Sequence, residues 1–168
     1  KLNGVIVCGE GAVGTPGCWA YDATKLAINL RGLGITGYEA ETILREKQHL
    51  AFELSDYYNL LAVVSLGDDE QTLGRLVSGV AELAEICTAK RHTVKSILLP
   101  PTPEMAAPPR EAFYSDTKSV SLDFAVGEVS AEMAMAYPPG IPLLCPGERI
   151  TREIVDYIKE LKAGRARL

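Results

Sequence analysis

Residues 24–30 (TKLAINL) alternate apolar and polar positions at the period of a half-buried strand. The pattern changes in the GLGITGYEAETILREKQ stretch that follows. Thr36, with Glu39 three residues later, forms a capping box, so a helix is expected to start near Gly37 and stop near Gln48. Its inner stripe is Ala40, Ile43, Leu44 and Lys47. Two further strands are expected at 50–54 (LAFEL) and 59–66 (NLLAVVSL), joined by the polar-aromatic turn SDYY. Asp68 then caps a long helix, with Gln71 at the matching box position. Leu73, Leu76, Val77, Val80, Leu83, Ala84 and Cys87 recur at helical spacing and should face a sheet. The first part therefore reads β-α-β-β-α, an open α/β layer arrangement.

The second part is patterned differently. PPTPEMAAPP (100–109) is too rich in proline for a helix or a central strand and reads as a linker or wrapping segment. REAFYSD suits a short helix, and KSVSLDFAVG has the period of a strand. EVSAEMAMA is ambiguous, and YPPGIPLLCPGE is extended and proline-stiffened. Thr151 caps a last helix whose apolar face is Ile154, Val155, Ile158 and Leu161 and which Gly164 ends. No internal repeat is visible.

The size, 168 residues with 47% hydrophobic and 23% charged, suits one globular domain or two small subdomains. The net charge of −5 and the scattered basic residues argue against a nucleic-acid partner. The basic stretch from Lys159 to Arg167 reads as a solvated helix end. No apolar run is long enough for a membrane span, and there is neither a signal peptide nor an initiator methionine. The abrupt opening at Lys1 suggests a piece of a longer protein. Cys8, Cys18, Cys87 and Cys145 form no C-x-x-C pair and lie at no metal-ligand spacing from His49 or His92, so no metal site is expected. Reduced, mostly buried thiols in a cytoplasmic protein are expected.

Three stretches invite a chemical reading. Gly9-Glu10-Gly11-Ala12-Val13-Gly14 is a literal G-x-G-x-x-G after the apolar run GVIV. A dinucleotide cradle needs a helix beginning at the third glycine, but Thr15-Pro16-Gly17 follows and the next apolar run is a strand. A glycine-rich bend is the favoured reading. FELSDYYN gathers Glu53, Asp56, Tyr57 and Tyr58 at one turn, where carboxylates and rings can hold a cation; a solvated turn is the alternative. YPPGIPLLCPGE offers few proton donors or acceptors besides Glu148 and Arg149, so a structural role is favoured. His49 and His92 read as surface or cap residues, and no nucleophile–histidine–acid set can be assembled.

These residues resemble a known family. DATKLAINLRGLGITGYEAETILREKQHLAFELSDYYNLLAVVSLGDD and PPREAFYSDTKSVSLDFAVGEVSAEMAMAYPPGIPLLCPGERITREIVDYIKEL are similar to the C-terminal portion of the pyridoxal-phosphate-dependent ornithine/lysine/arginine decarboxylases, of the shorter bacterial arginine or lysine type. Tyr137-Pro138-Pro139-Gly140-Ile141-Pro142, Pro146-Gly147-Glu148, Pro109-Arg110-Glu111-Ala112-Phe113 and Asp22-Ala23-Thr24-Lys25 carry the resemblance.

The resemblance implies a fold-type-I, aspartate-aminotransferase-like subunit. Residues 1–99 would be its small domain, with 1–23 as a linking segment, and 100–168 the α+β C-terminal domain. The reaction implied is removal of the α-carboxylate of a basic amino acid, with the pyridine ring as electron sink, on the way to polyamines. It implies a homo-oligomer, a dimer or larger, with active sites at subunit interfaces. Tyr137, Pro138, Pro139, Gly140, Pro142 and Glu148 would serve structure and interface. Glu53 aligns with an acid that lies near the substrate's distal cation in related enzymes, with Asp56 and Tyr58 as further substrate-binding candidates. The family's cofactor lysine follows a histidine, and no lysine here does, so catalytic residues and covalent cofactor binding are expected on an upstream domain. Two departures stand out. Ala23 replaces a frequent proline, and Gly127-Glu128 replaces a frequent Gly-Arg, reversing a charge.

Three readings follow. The chain is the C-terminal part of such a decarboxylase, itself inactive; or a non-catalytic binding or assembly module derived from that family; or, weakest, a nucleotide-binding enzyme built on Gly9–Gly14.

Overall fold

A computed structural model describes residues 2–90, 96–137, 139–166 and 168, without the side chains of 88–90. His92, Pro138 and Arg167 lie outside the described residues. The chain is mixed α/β and divides into two compact units, Lys1–Lys95 and Ser96–Leu168.

In the first unit, strands β1 (Ile6–Val7), β2 (Lys25–Asn29), β3 (Leu54–Ser55) and β4 (Asn59–Val63) form an antiparallel sheet in the order β1-β2-β4-β3. Helices α1 (Gly37–Gln48) and α2 (Glu70–Lys90) belong to the same unit. Register explains the core. Ile28 pairs with Leu60 and Leu26 with Ala62, so these four share a face. They pack with Leu30, Leu33, Leu44, Val80, Leu83, Ala84 and Cys87. Asn29 pairs with Asn59 on the opposite face.

α1 is bounded as its sequence predicts. The Thr36 hydroxyl accepts from the Glu39 amide, and His49 ends the helix in the left-handed region at φ 54°. Its stripe is Ala40 and Leu44 with Ile43 beside them, whereas Lys47 is exposed.

α2 starts later than its sequence suggests. Asp68 closes the preceding turn by accepting from the Ser65 amide and hydroxyl at 2.7 and 2.9 Å. Asp69 caps the helix instead, accepting from the Thr72 amide at 2.8 Å while the Thr72 hydroxyl accepts from the Asp69 amide. These amides hold both carboxyls below their usual range. The apolar stripe is also narrower. Val80, Leu83, Ala84 and Cys87 are buried, but Val77 is 67% and Leu73 37% exposed. The strand expected at 50–54 reduces to Leu54–Ser55, and that at 59–66 stops at Val63.

The second unit holds α3 (Pro109–Tyr114), the antiparallel pair β5 (Ala134–Ala136) and β6 (Ile141–Leu144), and α4 (Arg152–Ala163). Leu144, Ile154 and Ile158 form its core with Leu122, Ala134, Leu143 and Ile150 around them. Thr151 caps α4 by accepting from the Ile154 amide. Its end differs in detail. Gly164 keeps a negative φ, and Arg165 takes the left-handed conformation at φ 67°. The strand expected within 118–127 is absent. A single 3-10 turn, Leu122–Phe124, lies there instead, with the Phe124 amide donating to the Ser121 carbonyl. Lys159 of α4 pairs with Asp123 and holds that turn.

At Gly37 and Gly147 backbone carbonyls leave no room for a side chain. A Cβ on Gly37 would stand 2.2 Å from the Asn59 carbonyl oxygen and 2.3 Å from that of Asp56. A Cβ on Gly147, whose φ is +91°, would stand 2.1 Å from the Ala107 oxygen. Gly37→Ala should destabilise the first unit by about 1–3 kcal/mol, the usual cost of overpacking. Thermal unfolding checks this, and an unchanged midpoint would mean that the 56–59 turn retreats freely.

Candidate functional site

The turn joining β3 to β4 is built around one carboxylate. Asp56 Oδ1 accepts from the amides of Tyr58 at 2.7 Å and Asn59 at 2.8 Å. Asn59 Nδ2 donates to both Asp56 oxygens at 2.9 Å. The network continues across the sheet. Asn29 Nδ2 donates to Asn59 Oδ1 at 2.7 Å, and the Arg31 amide donates to Asn29 Oδ1 at 3.3 Å. The Leu30 amide donates to the Tyr58 carbonyl at 2.8 Å. The Arg31 guanidinium consequently lies over the Tyr58 ring, 5.1 Å from its centroid, while Tyr57 meets the same ring edge-on.

The candidates Glu53, Asp56 and Tyr58 thus do not form one cluster. Asp56 and Tyr58 share the turn, but the Asp56 carboxylate is engaged by the turn itself. Glu53 stands just before β3, its amide donating to the Leu61 carbonyl at 2.9 Å. Its side chain is exposed and has no hydrogen bond or ion pair among the described residues. Arg31 and the Asn29–Asn59 pair escaped the sequence reading. Their signal is strand register, which appears only once β2 and β4 are aligned.

The segment after β1 is a bend. A 3-10 turn, Glu10–Ala12, follows Gly9, and Gly14 takes φ +88° with its amide donating to the Cys18 carbonyl. No α-helix begins among the described residues until Gly37, so the helix N-terminus that a phosphate cradle requires is missing. Thiol burial also departs from expectation. Cys87 is buried, but Cys8 is exposed and Cys18 and Cys145 are half-buried, because the first two flank this open bend. All four are free.

Asp22-Ala23-Thr24-Lys25 is a turn that launches β2. Asp22 accepts from Lys25 Nζ at 2.6 Å, from the Thr24 hydroxyl at 2.6 Å and from the Thr24 amide at 3.0 Å. Lys25 above all, then Thr24, holds the Asp22 carboxyl well below the usual range. Tyr21 Oη donates to the Cys8 carbonyl at 2.8 Å and reaches that of Lys25 at 3.1 Å, tying β1 to β2.

In the second unit, the Glu148 carboxylate turns onto its own bend and accepts from the Cys145 amide at 2.7 Å. The Gly147 carbonyl accepts from the amides of Ala106 and Ala107. Tyr137, Pro139 and Gly140 form the link between β5 and β6; Tyr137 and Pro139 are exposed, and Gly140 takes φ +82°. Pro142 lies in β6 opposite Met135. A groove of about 1010 Å3 runs between residues 107–120 on one side and 125–132 with Arg149 and Ile150 on the other. Neither Glu53, Asp56 nor Tyr58 lines it. Among the described residues no three or more His, Cys, Asp or Glu side chains are grouped to hold a metal ion, and no helix is long and apolar enough to cross a membrane.

Comparisons with known proteins locate this arrangement. Residues 84–168 match the family model described as Orn/Lys/Arg decarboxylase, C-terminal domain. The arginine decarboxylase of Halalkalibacterium halodurans is 44% identical over 95% of this chain, which covers 33% of that protein. The arginine decarboxylase of Bacillus subtilis is 40% identical over 98% of this chain, which covers 34% of it. The chain therefore spans about a third of the length of these relatives. Among solved structures, the constitutive lysine decarboxylase of Escherichia coli superposes with a TM-score of 0.64 at 19% identity, covering 95% of this chain and 33% of that one.

Asp56→Ala removes the acceptor for two amides and one side-chain amide, and should cost about 2 kcal/mol, the scale of hydrogen bonds to a charged group. Asp56→Asn keeps one acceptor oxygen and should lose less. Thermal unfolding of the two variants, compared side by side, checks the ordering.

Proposed function

The chain belongs to the Orn/Lys/Arg decarboxylase family as a C-terminal region, and from that premise we propose that it completes a pyridoxal-phosphate-dependent enzyme that decarboxylates a basic amino acid. The observation that carries this is the match over 84–168 together with relatives named arginine decarboxylase that align along nearly the whole chain. The name of those relatives favours arginine as the substrate, and a cytoplasmic route to polyamines is part of the same proposal.

The cofactor's attachment belongs to polypeptide outside this chain. A lysine that held the cofactor would need an amine shielded from solvent and free to lose its proton. The described lysines do not fit. Lys25, Lys118 and Lys159 have their ammonium groups paired with Asp22, Glu128 and Asp123, and Lys47 and Lys162 are exposed. Pairing with Asp22 raises the Lys25 pKa, the wrong direction for a nucleophile.

Two contributions are left for the chain. Glu53, exposed and without a partner among the described residues, is available to pair with the guanidinium or ammonium at the far end of the substrate. The second unit exposes Phe113, Tyr114, Phe124, Tyr137 and Ile141. Apolar exposure of this kind suits a surface that another domain or subunit covers, which supports a homo-oligomer, a dimer or larger, whose interface includes the 137–142 segment.

In the full-length enzyme, Glu53→Gln should raise KM for the basic substrate by about tenfold, with kcat changed less, as expected on losing one charge-assisted hydrogen bond. An unchanged KM removes Glu53 from the pocket. Assayed on arginine, lysine and ornithine, the same enzyme should give its highest kcat/KM with arginine. No decarboxylation of any of the three would overturn the enzymatic reading and leave the assembly-module reading.

A further inference from the structure

Residues 115–121 connect α3 to the 3-10 turn at Leu122–Phe124, and every one of them is exposed. Among the described residues no backbone amide from 116 to 121 donates a hydrogen bond to another backbone group. At the root of the segment, the Ser115 hydroxyl donates to the Ala112 carbonyl at 2.9 Å. Midway along it, Lys118 Nζ donates to Glu128 Oε1 at 2.7 Å.

That ion pair joins two of the segments that line the groove. Lys118 belongs to the 107–120 side and Glu128 to the 125–132 side, and both line the cavity. The other cation lining it, Arg149, is held elsewhere. Its Nη1 donates to the Gly127 carbonyl at 3.0 Å and its Nε lies 3.6 Å from Glu104. Arg149 therefore does not take Glu128 from Lys118. The body on the Glu128 side is also firm. The Gly127 amide donates to the Ile150 carbonyl, the Ile150 amide to the Glu128 carbonyl, and the Ser130 amide to the Glu148 carbonyl. An anion on a strip anchored through its backbone thus faces a cation on a segment whose amides from 116 to 121 donate to no backbone group among the described residues.

We propose that the Lys118–Glu128 pair is a clasp that fastens the 115–121 segment across this groove, and that releasing it lets the segment swing away and widens access to the groove. The inference concerns the second unit alone and does not depend on the substrate reading. Because both side chains are open to solvent, the clasp is weak and screened by salt. It therefore opens and closes readily and suits a strap better than a permanent brace.

The test uses limited proteolysis of the full-length protein, read by mass spectrometry. Trypsin must take the Lys118 ammonium into its own acidic pocket, so cleavage after Lys118 reports release. Glu128→Gln should speed that cut by about two- to fivefold, the range for an exposed ion pair, and Glu128→Arg by more. Cuts in α4 serve as the reference for global unfolding. The charge swap gives the independent check. With a glutamyl endopeptidase, Lys118→Glu alone should be cut after position 118 faster than Lys118→Glu/Glu128→Lys, in which the pair is rebuilt with reversed sign. Pulsed electron-resonance distances between nitroxides at Thr117→Cys and Ala131→Cys should lengthen and broaden in Glu128→Gln. Unchanged cleavage in Glu128→Gln, equal cleavage of the single and swapped variants, or an unchanged distance distribution would each overturn the clasp.

Discussion

Two backbone carbonyls, those of Asp56 and Asn59, occupy the space where residue 37 would carry a side chain. The first unit depends on that close approach. With glycine at 37, the first turn of α1 sits directly on the β3–β4 turn, and the Gly37 amide donates to the Tyr57 carbonyl at 3.3 Å. The helix is thereby seated on the sheet at one end, and Ala40 and Leu44 descend into the core from a fixed starting point. The Asp56 carboxylate performs the complementary task. It gathers the amides that a tight two-residue turn leaves unpaired, so that the carbonyls can point at the helix. Ser55, fully buried beside this turn, donates to Glu41 of α1 at 2.6 Å and closes the same junction from the other side.

The second unit repeats the device with different residues. Gly147 passes so close to Ala107 that only glycine fits, and its positive φ is one that other residues resist. Glu148, the next residue, returns its carboxylate to the Cys145 amide and fixes the bend. The 104–107 strip is then held to the body by Ala106, Ala107 and the Met105–Glu148 bridge. In both units an acidic side chain organises a turn and a neighbouring glycine receives a carbonyl. Those acids are spent on the fold, which is why a carboxylate in a distinctive motif is a poor guide to a substrate-binding carboxylate.

This also explains what the sequence reveals. α1 and α4 are legible because their signals are local. A threonine cap three residues before an amide and an apolar stripe at helical spacing need no knowledge of the rest of the chain. The α2 cap is misread by one residue because Asp68 and Asp69 are chemically equivalent. Only the serine at position 65 decides which of them serves the preceding turn. The 118–127 stretch alternates like a strand but has no partner strand. Its apolar positions are used by a 3-10 turn pinned through Asp123 and Lys159. The exposure of Leu73 and Val77 has a related cause: helical periodicity marks which residues share a stripe, but not how far along the helix the core extends.

The candidate site shows the same limit more sharply. Glu53, Asp56 and Tyr58 are close in sequence, and proximity in sequence suggested one cluster. Antiparallel pairing separates them by function, because Asp56 faces inward to serve its own turn whereas Glu53 precedes the edge strand and stays solvated. The residue that does reach Tyr58 is Arg31, brought there by the Asn29–Asn59 contact between paired strands. A guanidinium already lying on the ring occupies the face that a cationic ligand would use. Of the two candidate carboxylates, that of Glu53 is therefore the one that keeps no hydrogen bond or ion pair among the described residues.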